Sequence, residues 1–121
     1  MTRDILEMIK DLGLDVNRDE ARLIEDKLSE EEDFYVEIDG CEFRFISEEE
    51  IFGIYVDSIE QMVQECYLGG TEIPHWVEID WDQTAENLLE SDGYGHHFAS
   101  YDGNEYQYTL GGYDYYLFRT N

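Results

Sequence analysis

Between Arg44 and Arg119 the chain contains no lysine or arginine, yet this stretch carries sixteen carboxylates, the first at Glu48 and the last at Asp114. Ordinary soluble domains intersperse the two signs, because a net charge well beyond about 8 adds self-repulsion that opposes the compact state. Over all 121 residues, 31 acidic side chains stand against 7 basic ones, a formal net charge of -24. Folding has to overcome that repulsion, so the charge is expected to have a use.

A DNA duplex carries one phosphate charge per roughly 1.7 Å of axis, so a charge of this size matches about 40 Å of duplex. A compact chain of this length has a radius of gyration of about 14 Å, and its longest dimension is similar to that segment. The fitting partner is therefore a basic DNA-binding protein whose surface is rich in Lys and Arg. Nucleic acid itself is excluded as a direct ligand, because like charges repel and no basic patch collects phosphates. Disorder fits poorly with 42% apolar and 15% aromatic residues and a single proline. Salt adaptation is a competing explanation that needs no partner.

The length suits one domain, residues 1–121, with a modest core. Met1-Thr2-Arg3-Asp4 lacks the apolar run of a signal peptide, and no segment approaches the roughly 20 apolar residues of a membrane span, so a cytoplasmic setting is expected. Cys41 alternates with Phe43 and Phe45, and Cys66 follows Met62 and Val63; both are expected as buried free thiols.

Ile5, Ile9 and Leu12 recur at helical spacing with Leu6 and Met8 beside them, and Gly13 is placed to end that helix. Asn17 can cap a second helix, with Glu20 closing a capping box and Ala21, Ile24 and Leu28 as the inner stripe. The run Glu30 to Asp33 then meets the wrong end of the helix dipole, so the helix stops near Ser29 or the run serves something other than stability. Phe34 to Ile38 and Cys41 to Phe45, joined by Asp39-Gly40, predict a tight β-hairpin. Ile51 to Val56 is β-prone although Ser47 and Glu50 could form a capping box, and a strand or irregular segment is slightly favoured. A helix is expected from Asp57, boxed by Glu60, with Ile59, Met62, Val63 and Cys66 as its face and Gly69-Gly70 as its stop. After Pro74 and a short apolar stretch, Asp80 caps a helix carrying Trp81, Ala85, Leu88 and Leu89, closed by Asp92-Gly93. Aromatic runs at 97–99, 106–110 and 115–118, divided by Asp102-Gly103 and Gly111-Gly112, read as strands of an antiparallel sheet. The fold class is α+β: N-terminal helices, a central hairpin and aromatic-rich C-terminal strands in one small domain.

No phosphate loop, His-Glu-x-x-His or Cys-x-x-Cys occurs, so the expectation is no enzyme, no cofactor and no metal. His75, His96 and His97 with nearby carboxylates could bind a divalent ion, but neighbours on a strand point to opposite faces, which disfavours the pair sharing a site. Asp80, Asp82 and Asp92-Gly93 lack the ligand alternation of a calcium loop. The C-terminal tyrosines lack the basic groove of a single-strand binder and suit a small sheet or a protein interface. The expected target-binding acidic surface comprises Glu48, Glu49, Glu50, Asp57, Glu60, Glu65, Glu78, Asp80, Asp82, Glu86, Glu90 and Asp92.

The segment Ile79-Asp80-Trp81-Asp82-Gln83-Thr84-Ala85-Glu86-Asn87-Leu88-Leu89, followed by aromatic residues and the ending Tyr115-Tyr116-Leu117-Phe118-Arg119, resembles the closing segment of ArdA-type antirestriction proteins. The resemblance covers about residues 73–119; the chain is shorter and lacks a counterpart of that family's N-terminal portion. It implies an acidic homodimer, carried by phages or plasmids, that occupies the DNA groove of a type I restriction-modification enzyme by imitating bent duplex. An acidic immunity protein or antitoxin, an anti-CRISPR protein neutralising a specific nuclease, and a small enzyme or metal-binding protein are the alternatives.

Overall fold

The computed structural model describes residues 2–67 and 74–121. Helices α1 (Thr2–Asp11) and α2 (Arg18–Glu30) precede a hairpin of β1 (Asp33–Ile38) and β2 (Cys41–Ser47). Helix α3 (Glu48–Met62) runs into a π-helical turn (Val63–Tyr67), and α4 (Trp81–Phe98) leads to a second hairpin, β3 (Tyr106–Leu110) and β4 (Tyr113–Arg119). All four strands form one antiparallel sheet in the order β1-β2-β4-β3. The α+β class stands as expected.

Strand alternation divides the core in two. One face presents Phe34, Val36, Ile38, Phe43, Phe45, Tyr115 and Leu117 to Ile5, Met8 and Ile9 of α1 and to Ala21 and Ile24 of α2. The other presents Ile46 and Phe118 to Ile51, Tyr55, Val56 and Ile59 of α3 and to Ala85 and Phe98 of α4. The sheet is thus a middle layer between two helical layers.

Several local signals act as the sequence suggests. Gly13, at φ 77, ends α1, and its N–H donates to Lys10 while the Leu14 N–H donates to Ile9, which satisfies carbonyls the helix end would leave bare. The Asn17 side chain accepts from the N–H groups of Asp19 and Glu20 at 2.9 and 3.3 Å. Glu20, however, does not close a capping box; its carboxylate accepts from the Asp39 N–H at 3.2 Å and so ties α2 to the first hairpin turn. In that turn Asp39 and Gly40 both take positive φ, 50 and 78°, as a two-residue turn matched to strand twist requires. Helix α2 ends at Glu30, one residue beyond Ser29. Cys41 is free and only half-buried, its thiol 3.9 Å from the Asp39 carbonyl.

Residues 51–56 are helical, not a strand. Ile51, Tyr55, Val56 and Ile59 fall on one face of α3 and cover the second face of the sheet, and that burial outweighs their β preference. Ser47 makes no side-chain cap; strand β2 passes directly into the helix, whose first turn carries Glu48, Glu49 and Glu50, where the dipole favours anions. Asp57 and Glu60 therefore lie inside a helix that has already begun, and form no capping box. The Cys66 side chain and the expected stop at Gly69-Gly70 lie outside the described residues. Asp80 caps α4, accepting from the Gln83 N–H at 3.1 Å. Gly93, at φ 77 and ψ 168, breaks the helix as expected, but a second helical segment follows to Phe98. Residues 97 and 98 are thus the end of α4, with Ala99 as its C-cap, and not a strand, because Phe98 is drawn into the core against Phe118 and Tyr55, with ring centroids 5.2 and 5.9 Å away.

Gly95 is buried where α4 crosses the 102–105 turn. A Cβ there would overlap the Gly103 carbonyl oxygen and come within 3.0 and 3.1 Å of backbone atoms of Asn104 and Glu105. Backbone cannot yield as a side-chain tip can. Gly95→Ala is expected to destabilise the fold by ~1–3 kcal/mol in chemical denaturation, as overpacking does; an unchanged midpoint would contradict this packing.

Candidate functional site

Charge is sorted between the two helical layers. Arg3, Lys10, Arg18, Arg22 and Lys27 all belong to α1 and α2. The remaining two cations lie on the sheet and are engaged: Arg44 forks onto Asp33 at 2.7 and 2.8 Å and lies 4.9 Å over the Phe98 ring, and Arg119 lies 3.8 Å over the Tyr101 ring. Desolvation opposes the Arg44 charge, but its hydrogen bond to Asp33 dominates and raises its pKa. No Lys or Arg lies in α3, the π-helical turn or α4.

The twelve carboxylates named from sequence fall into distinct places. Asp82, Glu86 and Glu90 are all exposed and spaced four apart, so they form one stripe along α4 with a carboxylate per ~6 Å of axis. Like charges at that spacing disfavour a helix by ~0.2–0.5 kcal/mol per pair, so the stripe does not serve α4 itself. Asp57 is exposed and Glu60 half-buried on α3, and Glu65 is exposed on the π-helical turn, accepting from Gln61 at 3.2 Å. Glu78 and Asp80 are exposed in the connection before α4. Asp92 stands 3.9 Å from His96.

Glu48, Glu49 and Glu50 join a different set at the end of the sheet. There α2 ends, α3 begins and the β3–β4 turn comes alongside, and a groove of about 910 Å³ is lined by Glu30, Glu31, Glu32, Glu48, Glu49 and Asp114, with Leu28, Leu110, Tyr113 and Tyr115 among its walls. The charge and hydrogen bonding of Glu50, then burial and the charge of Glu49, raise the Glu32 pKa. Glu48 is raised by its hydrogen bond with Asp114 and by that residue's charge. Among the described residues no His, Cys, Lys or Arg lines the groove, and its carboxylates can attract cationic groups.

Sequence reasoning missed Glu30, Glu31, Glu32 and Asp114 as members of this cluster. The conflict of residues 30–33 with the α2 dipole was the available signal. Asp114 gave none, because only the pairing of Ser47 with Tyr115 brings β4 beside the start of α3.

Raised carboxylate pKa values set a sign for pH dependence. Stability from Glu32 and Glu48 is fully present below the ordinary value of 4.5 and is lost as pH rises through their raised folded values. His97, lowered by burial and by Arg44, acts oppositely: its contribution holds above the ordinary 6.5 and is lost as pH falls through its lowered value. Glu48→Gln is therefore expected to raise the thermal midpoint at neutral pH and to narrow its advantage over the parent as pH falls towards about 4.5. An advantage that stayed constant with pH would show that Glu48 and Asp114 do not repel.

The histidines do not converge. They lie on or near a helix, not on a strand; His75 and His96 are exposed, while His97 packs edge-on against Tyr55 and Phe98 at 5.4 and 4.9 Å. Asp82 and Asp92 are ten residues apart in α4, ~15 Å along a helix, too far to share an ion. Among the described residues, no group of three or more His, Cys, Asp or Glu is placed to hold a metal. Nor is any described helix long and apolar enough to cross a membrane. No protein-family model matches the chain, and comparison with curated proteins and with solved structures returns no match.

Proposed function

We infer that this chain is a cytoplasmic inhibitor of a bacterial defence complex and works by occupying its DNA-binding cleft, with a type I restriction-modification enzyme as the target. The observation that carries this reading is the sorting of charge: a helical layer made of α3 and α4 exposes carboxylates and has no lysine or arginine. The stripe Asp82, Glu86 and Glu90 opposes its own helix, which is what a surface shaped by a basic partner would tolerate. The Ile79 to Leu89 segment, which resembles ArdA-type proteins, supplies the N-cap and the first part of α4 in that layer. The reading assigns no catalysis and no cofactor.

Titrating the chain into a purified type I enzyme tests it, with DNA binding and DNA cleavage followed together. Both are expected to fall in parallel as the chain approaches stoichiometry. Loss of cleavage while DNA stays bound would contradict occupation of the cleft.

The acidic groove favours a second reading, an immunity protein or antitoxin that seats one basic element of a single nuclease toxin. Glu32→Gln with Glu49→Gln would then remove activity while lysine changes on α4 left it intact.

A further inference from the structure

Strands β1 and β3 are the edges of the sheet, and among the described residues no strand pairs with the outer side of either. Gly111 and Gly112, at φ 61 and 85°, make a two-residue turn between the register partners Leu110 and Tyr113. In that geometry the pair flanking the turn exchanges both hydrogen bonds, and hydrogen-bonded pairs then alternate along the ladder. Tyr106, Tyr108 and Leu110 therefore bond to β4, opposite Leu117, Tyr115 and Tyr113. The N–H and C=O groups of Gln107 and Thr109 are left facing away from β4, at two exposed positions.

Such an edge templates a further strand, and the surroundings of β3 select its charge. The strand itself, Tyr-Gln-Tyr-Thr-Leu, has no charged side chain to hinder close backbone pairing. Its flanks are acidic. On one face the exposed Asp4, Glu7 and Asp11 of α1 line a groove of about 310 Å³ with Tyr108, Thr109 and Leu110. On the other face Asp114 accepts from the Thr109 hydroxyl at 2.6 Å. Asp4 and Asp11 lie ~10 Å apart along a helix, and alternate side chains on a strand recur every ~7 Å. Two basic side chains on the α1 face of an added strand thus come within reach of all three carboxylates, with their stems along the half-buried Tyr106 and Tyr108 rings. Arg3 sits on Glu7 at 3.3 Å, but both side chains are exposed and such a pair holds weakly. Asp11 accepts from the neutral Tyr108 hydroxyl at 2.6 Å.

The β1 edge receives a cation less well. Arg44 already forks onto Asp33 at 2.7 and 2.8 Å and lies 5.4 Å over the Tyr35 ring, so a basic side chain arriving there meets a positive charge. We propose that β3 binds an extended segment of a protein partner that carries lysine or arginine at alternate positions, adding it to the sheet as a further strand. Backbone pairing with Gln107 and Thr109 supplies the contact, and the α1 carboxylates supply the preference for cations. Because α1 covers the face of the sheet opposite α3 and α4, this contact is separate from occupation of a DNA cleft.

The probe is a short synthetic peptide in which lysine alternates with threonine, added to the full chain and followed by calorimetry and amide exchange. The Gln107 and Thr109 amides are expected to exchange at least about tenfold more slowly with the peptide than without it. A chain of this charge attracts any polycation, so the same peptide with every backbone nitrogen methylated, which keeps the charge and loses the donors, is expected to bind at least about tenfold more weakly. Asp4→Asn with Glu7→Gln should weaken the unmethylated peptide by about three- to tenfold, whereas Asp19→Asn with Glu37→Gln, which removes the same charge away from β3, should change its affinity by less than about twofold. Equal binding of the methylated peptide, unprotected amides at 107 and 109, or equal losses from the two variant pairs would overturn the proposal. Slower exchange at those amides on raising the concentration of the chain alone would overturn it too, by showing a second copy on the edge. None of these measurements involves DNA or a DNA-binding enzyme, so their failure leaves the reading of α3 and α4 standing.

Discussion

Exchanging Asp57, Asp82, Glu86 and Glu90 together for lysine is expected to abolish inhibition of the target enzyme. Each reversal adds two charges, so four change the net charge by eight, from -24 to -16, and place cations on a layer that has none. A cleft lined by Lys and Arg then meets like charge, which costs several kcal/mol across an interface. Single neutral changes behave differently. Exposed carboxylates each contribute ~0.2–1 kcal/mol to a pair, so Glu86→Ala should weaken inhibition by no more than about fivefold. Dose–response curves for the single and fourfold variants, with far-UV circular dichroism to show that folding is kept, separate the cases. Complete loss of activity in Asp82→Asn alone would point to chemistry at that residue in place of distributed mimicry.

Salt should act on the rate of capture more than on the rate of release. A surface of one sign raises association with a complementary cleft by roughly 10–10³-fold, and this gain falls steeply as ionic strength rises. At physiological salt, exposed charges are largely screened beyond about 8 Å, so the long-range part disappears first while close contacts persist. Stopped-flow or surface-based association rates at low and high salt measure this directly. An association rate insensitive to salt would leave the -24 charge without a role in capture and favour salt adaptation.

Features encoded within a few residues were legible in the sequence. Asp39-Gly40 announced its hairpin because positive φ at both positions is a local demand, and Gly13, Asn17 and Asp80 acted at their helix ends for equally local reasons. Where a distant partner decides the outcome, sequence reasoning failed. Residues 51–56 carry strand-like propensity, but the second face of the sheet, with Ile46 and Phe118, needs an apolar cover and takes a helix. Phe98 follows the same rule. Glu20 was read within its own helix, whereas it reaches nineteen residues on to the Asp39 N–H. The candidate site divides likewise: the α4 stripe follows from helical periodicity, while the acidic groove depends on β2 pairing with β4 and could not be read from spacing.

The central claim is that this chain and DNA compete for one site. Its most direct measurement takes the purified complex of the chain with its target enzyme, adds excess duplex DNA, and follows by sedimentation or native mass spectrometry which species remain. Mutual exclusion is the predicted result: DNA displaces the chain as its concentration rises, and only the two binary complexes are seen. A stable ternary complex of enzyme, DNA and chain would contradict occupation of the DNA site.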